Sequence, residues 1–315
     1  MARNSSSKPR PAPAANISRS RSAATSPGQG RRAASPPPTV SGRWLLTALT
    51  TTILLAACCG YGALCLLFYQ GQWQLLFHPS RSIGSTPASD GMTFDNIRFD
   101  VDETGSPRLD GWWIPASPQG RYAADTILYL HGDRGSLSDS VPALRELHDL
   151  GINVFAIDYR GFGTSVGRHP TERLATQDSI AAWTYLTDSR HVPARDLVIF
   201  GDGVGATFAA HLGSQFAPAG IILENPNPPA SRVFATDPRA HILPMFLLQK
   251  EKLDPTGDLA RAHVPRLFID RGADEGRAHQ LFEVSSYPKQ YFDLRSAPGG
   301  ELSAILRRFL DQVLQ

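Results

Sequence analysis

The side chains able to do acid–base or nucleophilic chemistry gather in a few short, glycine-marked strings. These are His131-Gly132-Asp133-Arg134-Gly135, Asp158-Tyr159-Arg160-Gly161-Phe162-Gly163-Thr164-Ser165, Gly201-Asp202-Gly203-Val204-Gly205 and Asp270-Arg271-Gly272-Ala273-Asp274-Glu275. Carboxylates dominate, and a carboxylate beside a water-poor pocket can act as base, as acid or as nucleophile. His131 is the one imidazole among them, and the chain has no His-x-His or Glu-x-x-His spacing, so neither a metal nor another cofactor is expected. A glycine-rich turn that opens a helix also suits an anion, as in dinucleotide sites, but GDGVG lies late in the chain rather than in a first βαβ unit.

The elements that must position these strings alternate. Short β-branched runs at Thr126–Leu130, Ile152–Ile157, Leu197–Phe200, Gly220–Leu223, Arg266–Ile269 and Gln290–Leu294 are separated by amphipathic stretches at Ser136–Leu150, Thr171–Thr187 and Gly276–Tyr287. Such alternation predicts an α/β domain, a mostly parallel sheet with helices on both faces, and Phe94–Val101 with Leu109–Ile114 predicts an antiparallel hairpin at its edge. In such sheets chemistry collects at the C-terminal ends of the strands, which is where all four strings fall. Thr171 is placed to cap the helix that follows it.

In order and spacing these segments resemble the α/β-hydrolase superfamily, and within it the membrane-anchored serine hydrolases with an HG loop, a DYRGFG loop and a GxSxG elbow. The similarity runs over roughly residues 70–315, and DYRGFGTS is its most specific string. The resemblance implies an α/β-hydrolase fold with an oxyanion loop at His131, Gly132 and Val204. It also implies a nucleophile on a tight strand-to-helix turn between two small residues. Here Gly201 and Gly205 are the small residues and Gly203 stands where serine is expected. The family's acid falls on Asp274 and its base on Gly299, within Ser296-Ala297-Pro298-Gly299-Gly300-Glu301-Leu302. The last histidine, His279, lies inside a helical run only five residues after Asp274 and reads as a surface residue.

The resemblance therefore implies a degenerate triad, Gly203, Asp274 and Gly299, in which only the acid survives. Asp202 is the alternative nucleophile, although moving the elbow frame to it would require small residues where Phe200 and Val204 stand. Three readings follow: a pseudo-hydrolase that binds a protein partner or a small acyl or ester-like ligand, an ester hydrolase using Asp202, and an anion sensor built on the elbow glycines. Asn225–Gln249, rich in proline and apolar residues, occupies the family's cap region and either lines a pocket or packs over the strand ends.

Trp44–Tyr69 is 26 residues long and carries no charge, and about 20 apolar residues cross a bilayer core. Eight of the chain's 31 Lys and Arg, and none of its 29 Asp and Glu, precede Trp44, which predicts a cytoplasmic N-terminus and an extracytoplasmic domain at the plasma or inner membrane. A lipoprotein-type cleavage before Cys58 competes with an uncleaved anchor, but the apolar run continues beyond it. The division is thus a basic, disordered tail at residues 1–43, a transmembrane helix at 44–69 and a hydrolase-like domain at 70–315. After Arg43 acidic residues exceed basic ones, 29 to 23, so the main domain is not expected to bind nucleic acid. Cys58, Cys59 and Cys65 all fall within the helix, which leaves the domain without a thiol.

Overall fold

Six consecutive β-branched and aromatic runs form strands, because their side chains find apolar neighbours on both sides of one sheet. A computed structural model describes residues 39–272, 276–295 and 301–314. Among these the sheet has eight strands: β1 (Asp95–Val101), β2 (Pro107–Ile114), β3 (Tyr122–Leu130), β4 (Ile152–Asp158), β5 (Leu197–Asp202), β6 (Gly220–Glu224), β7 (Arg266–Asp270) and β8 (Lys289–Asp293). Their spatial order is β8-β7-β6-β5-β3-β4-β2-β1. The hairpin β1–β2 and the pair β2–β4 are antiparallel, and every other pairing is parallel.

The order in which successive strands are laid down reverses around β3, which pairs in parallel with β4 on one side and β5 on the other, with Leu130 opposite both Ile157 and Gly201. At such a switch point the loops leaving neighbouring strands diverge and open a crevice. Leu128, Ile199, Leu223 and Phe268 point to one face, under α3 (Glu172–Thr184) and α4 (Gly205–Gln215). Tyr129, Phe200, Ile222 and Leu267 point to the other, under α2 (Val141–His148) and α8 (Glu301–Val313). In α8 the buried residues Ile305, Leu306, Phe309 and Leu310 recur at helical spacing, as a stripe facing a sheet requires.

The strand β3 begins at Tyr122, four residues earlier than its β-branched run suggests, with a register shift between Tyr122 and Thr126. Ala123, Ala124 and Asp125 have little strand preference, but the Asn153 amide donates to the carbonyls of Ala123 and Asp125 at 2.8 Å each and holds them in place. Thr171 caps α3 as expected, its hydroxyl accepting from the Leu174 amide at 3.2 Å. By packing, the chain falls into two units, Met1–Ala56 and Ala57–Gln315. The apolar run forms one helix, α1 (Gly42–Gly71), slightly longer than the charge-free segment. It is long and apolar enough to cross a membrane, with a mean hydropathy of 2.0 over its most apolar stretch, of which only 6% is buried within the protein.

Arg266, at the start of β7, is wholly buried yet does structural work only through hydrogen bonds. Its guanidinium donates to the carbonyls of Leu259, Ala262 and Val264 at 2.5 to 3.2 Å, satisfying the C-terminal end of α6 (Thr256–Arg261) and the loop beyond it. Replacing Arg266 with Met keeps the volume and strands those carbonyls. Each buried carbonyl left unpaired costs about 1–3 kcal/mol, so Arg266→Met is expected to lower unfolding free energy by about 3 kcal/mol. The urea midpoint of the purified protein checks this, and a shift near zero would contradict it.

Candidate functional site

The turn between β5 and α4 is built from contacts that exclude side chains. A Cβ on Gly205 would sit 2.0 Å from the Leu130 carbonyl oxygen, and one on Gly201 would sit 2.4 Å from the Gly205 carbonyl oxygen. Only glycine lets the helix start this close to β3. Between them Gly203 adopts φ +56°, the left-handed conformation of a tight strand-to-helix turn, and lies buried beneath Gly132 and Asn227. Its amide donates to the Glu224 carbonyl at 2.9 Å and its carbonyl accepts from Asn227 and Ala206, so the backbone is held without any side chain at 203.

What faces the tip of the turn is now specific. A Cβ on Gly203 would come 3.3 Å from the Gly132 Cα, 3.2 Å from Asn227 Oδ1 and 3.8 Å from Asp133 Oδ1. Asn227 also donates from Nδ2 to Asp133 Oδ1 at 2.8 Å. Asp133 in turn lies 3.5 Å from both His78 Nδ1 and Arg134 Nε. The loops after β3 and β6 are therefore latched together over the elbow. Of the expected oxyanion loop, Gly132 borders the tip, whereas Val204 is fully buried at the start of α4.

Asp202 is half-buried rather than turned out to solvent, with Oδ2 about 3.5 Å from where a Gly132 Cβ would stand. It lies opposite Glu224 on the neighbouring strand, and Glu224 is buried. Burial, reinforced by the Asp133 charge, raises the Asp202 carboxyl to about 6. Burial and the Asp202 charge raise Glu224 to about 7, against the pull of Arg271. The Arg271 guanidinium meets Glu224 at 3.0 Å and Glu146 at 3.8 Å, and its amide donates to Asn225 Oδ1 at 2.8 Å. The sequence reading placed Asp133 and Arg271 in its strings without these partners, and it gave no site role to Asn225 or Asn227. The signal that was available is the string Asn225-Pro226-Asn227-Pro228-Pro229 directly after a strand end.

His131 and Asp158 form a second buried pair. His131 Nδ1 donates to the Gly132 carbonyl at 2.8 Å, which leaves Nε2 facing Asp158 Oδ1 at 3.5 Å without a hydrogen bond. Burial drives the imidazole down to about 4 and the carboxyl up to about 7, so both are uncharged between those values. The DYRGFGTS string encloses this carboxyl. A Cβ on Gly163 would strike Asp158 Oδ2, the Leu137 amide donates to Oδ1 at 3.0 Å, and the Ser165 hydroxyl donates to the Asp158 carbonyl at 2.6 Å. Arg160 closes the loop on Asp178 at 2.5 Å. The string thus builds a loop, with its polar groups already engaged.

Asp274 and Gly299 lie outside the described residues. His279 is on the surface of α7 (Arg277–Val284), 3.6 Å from Glu283, and takes no part in the elbow. Among the described residues no group of three or more His, Cys, Asp or Glu is arranged to hold a metal. The cap region packs rather than hollows: Ala230, Phe234 and Leu243 are buried against the core, and Asn227 covers the elbow. A groove of about 820 Å³ lies elsewhere, lined by Arg98, Arg108, Arg160 and Tyr185 on the far side of α3.

A parallel sheet reversing at β3, with a glycine-framed turn from β5 into α4 and covering helices on both faces, defines an α/β-hydrolase. Residues 122–260 match the family described as serine aminopeptidase, S33. The uncharacterized protein Rv2307c of Mycobacterium tuberculosis is 27% identical over 259 residues, 78% of this chain and 90% of that protein. The human alpha/beta hydrolase domain-containing protein 17B is 29% identical over 133 residues, 41% of this chain and 44% of that protein. Among solved structures the esterase Pf2001 of Pyrococcus furiosus superposes with a TM-score of 0.58 at 18% identity, covering 76% of this chain and all of the esterase. The chain belongs to the α/β-hydrolase superfamily.

The Asp158 carboxyl gives the site a pH signature. Because burial raises it from the ordinary carboxylate range to about 7, the folded protein holds a proton there that the unfolded chain has already lost. Its effect on stability is neutral below about pH 4 and increasingly unfavourable as pH rises towards 7. Asp158→Asn keeps the acceptor for Leu137 and removes the titration. The stability of the variant relative to the natural protein is expected to rise between pH 4.5 and pH 7.5, read from urea midpoints at the two values. A constant difference would contradict it.

Proposed function

We propose that this chain is a single-pass membrane protein whose hydrolase-like domain, residues 70–315, is catalytically degenerate and binds a ligand or protein partner instead of cleaving an ester. The observation that carries the reading is Gly203, a residue without a side chain at the tip of the elbow. An acyl-enzyme needs an oxygen or sulfur there. Gly299 at the base position of the resemblance points the same way. The ligand class in best accord with esterase-like relatives is a small acyl or ester-like molecule. The N-terminal excess of basic residues supports a cytoplasmic tail and an extracytoplasmic domain.

A second reading has one observation in its favour: the Asp202 carboxyl is turned inward at the elbow and raised to about 6. It would make Asp202 the nucleophile of an active ester hydrolase. Loss of nucleophile and base from a serine hydrolase removes about six decades of rate. The purified full-length protein is therefore expected to be inert towards a fluorophosphonate probe and p-nitrophenyl esters, while the Gly203→Ser, Gly299→His double variant gains labelling. Ester turnover by the natural chain that disappears in Asp202→Asn would replace the first reading with the second.

A further inference from the structure

The last turns of α1 do not stand clear of the domain. Phe68 is buried and meets Phe234 of α5 (Ala230–Ala235) edge-on at 5.7 Å, and Leu64 and Cys65 pack on the same core. One helical turn before them, the Tyr61 hydroxyl donates to the Ile242 carbonyl at 2.8 Å. Tyr61 lies eight residues before the end of the charge-free run Trp44–Tyr69. A bilayer core takes about 20 residues of helix, and every stretch of that length within the run includes Tyr61. Ile242 is bonded to a residue that crosses the hydrocarbon wherever the helix is seated.

The segment around Ile242 has the side chains for that depth. Leu243 is turned inward, while Ile242 (60% exposed), Phe246 (85%) and Leu247 (69%) project away from the protein. Phe246 and Leu247 sit on a single helical turn, Met245–Leu248, whose other residues pack against the core. Cations border this apolar surface: Arg239 lies over the Phe68 ring at 5.3 Å and Lys250 over the Tyr69 ring at 5.8 Å. Apolar residues bordered by Arg and Lys are the pattern of an element lying in a membrane interface, with aromatic and cationic groups at headgroup level.

We infer that Ile242–Leu248 is a second membrane element, inserting Ile242, Phe246 and Leu247 among the lipid acyl chains beside the C-terminal half of α1. The inference rests on the reading of α1 as a membrane anchor, and its occupant is the lipid of that same bilayer. It makes the cap region the membrane-facing side of the domain. Asn227, which covers the elbow, is only 15 residues from Ile242 along this region.

The test uses the full chain with Cys58, Cys59 and Cys65 changed to Ala, reconstituted in phosphatidylcholine and phosphatidylglycerol vesicles carrying nitroxide-labelled acyl chains. Single cysteines bearing an environment-sensitive dye replace Phe246, Leu54 in α1, or Tyr287, which is 79% exposed just before β8 at the opposite end of the parallel strands. Positions 54 and 246 are expected to be quenched at least twofold more than position 287. Quenching at 54 but not at 246 overturns the inference and leaves the anchor standing. Absence of quenching at all three overturns the anchor as well. Blue-shifted but unquenched emission at 246 means that protein covers the surface, and overturns the lipid assignment.

Discussion

The approach of α4 to β3 governs this structure. The Leu130 carbonyl leaves no space for a Cβ at position 205, and the Gly205 carbonyl leaves none at 201, so the chain between them must turn within very few atoms. From that single crowding follow the left-handed Gly203, the seating of the Glu224 carbonyl on its amide, and the convergence of the β3 and β6 loops over the tip. The turn is an outcome of backbone packing, and it persists with nothing for the residue at its tip to do chemically. The shape of the turn is thus fixed by positions 201 and 205 and does not depend on a side chain at its tip.

Carboxylates surround the elbow, and their energetics set the character of the site. Asp202, Glu224 and Asp158 are all held above the ordinary carboxylate range, in each case chiefly by burial. Arg271 offsets the first two through its contact with Glu224, whereas Asp158 faces an imidazole that burial keeps neutral. At neutral pH Asp202 is thus largely ionised, whereas Glu224 and Asp158 stand near the middle of their titrations.

Much of this was legible in the sequence because it depends on local pattern. The strands that bury both faces announce themselves as β-branched runs, and the apolar helix as a run without charge. The elbow shows itself through glycines at fixed spacing, for only they tolerate the contacts just described. The long-range partners were not legible. Nothing in the neighbourhood of Asn227 names Asp133, 94 residues away, and Arg271 finds Glu224 only because β6 and β7 are adjacent. The start of β3 was missed for the same reason, since its poor strand residues are held by an amide from Asn153 on the next strand. Asp202 read as an alternative nucleophile, and its place opposite Glu224 on the neighbouring strand was not legible either.

The left-handed backbone at Gly203 has an implication for the protein's history. Glycine and serine codons can differ by a single base, and the contacts that force the turn act on positions 201 and 205, but a Cβ at 203 would itself press on Asn227 Oδ1 at 3.2 Å and on the Gly132 Cα at 3.3 Å. An alcohol at the tip of the elbow therefore disturbs the amide that ties Asn227 to Asp133, so the contact between the β3 and β6 loops and a side chain at 203 compete for the same space.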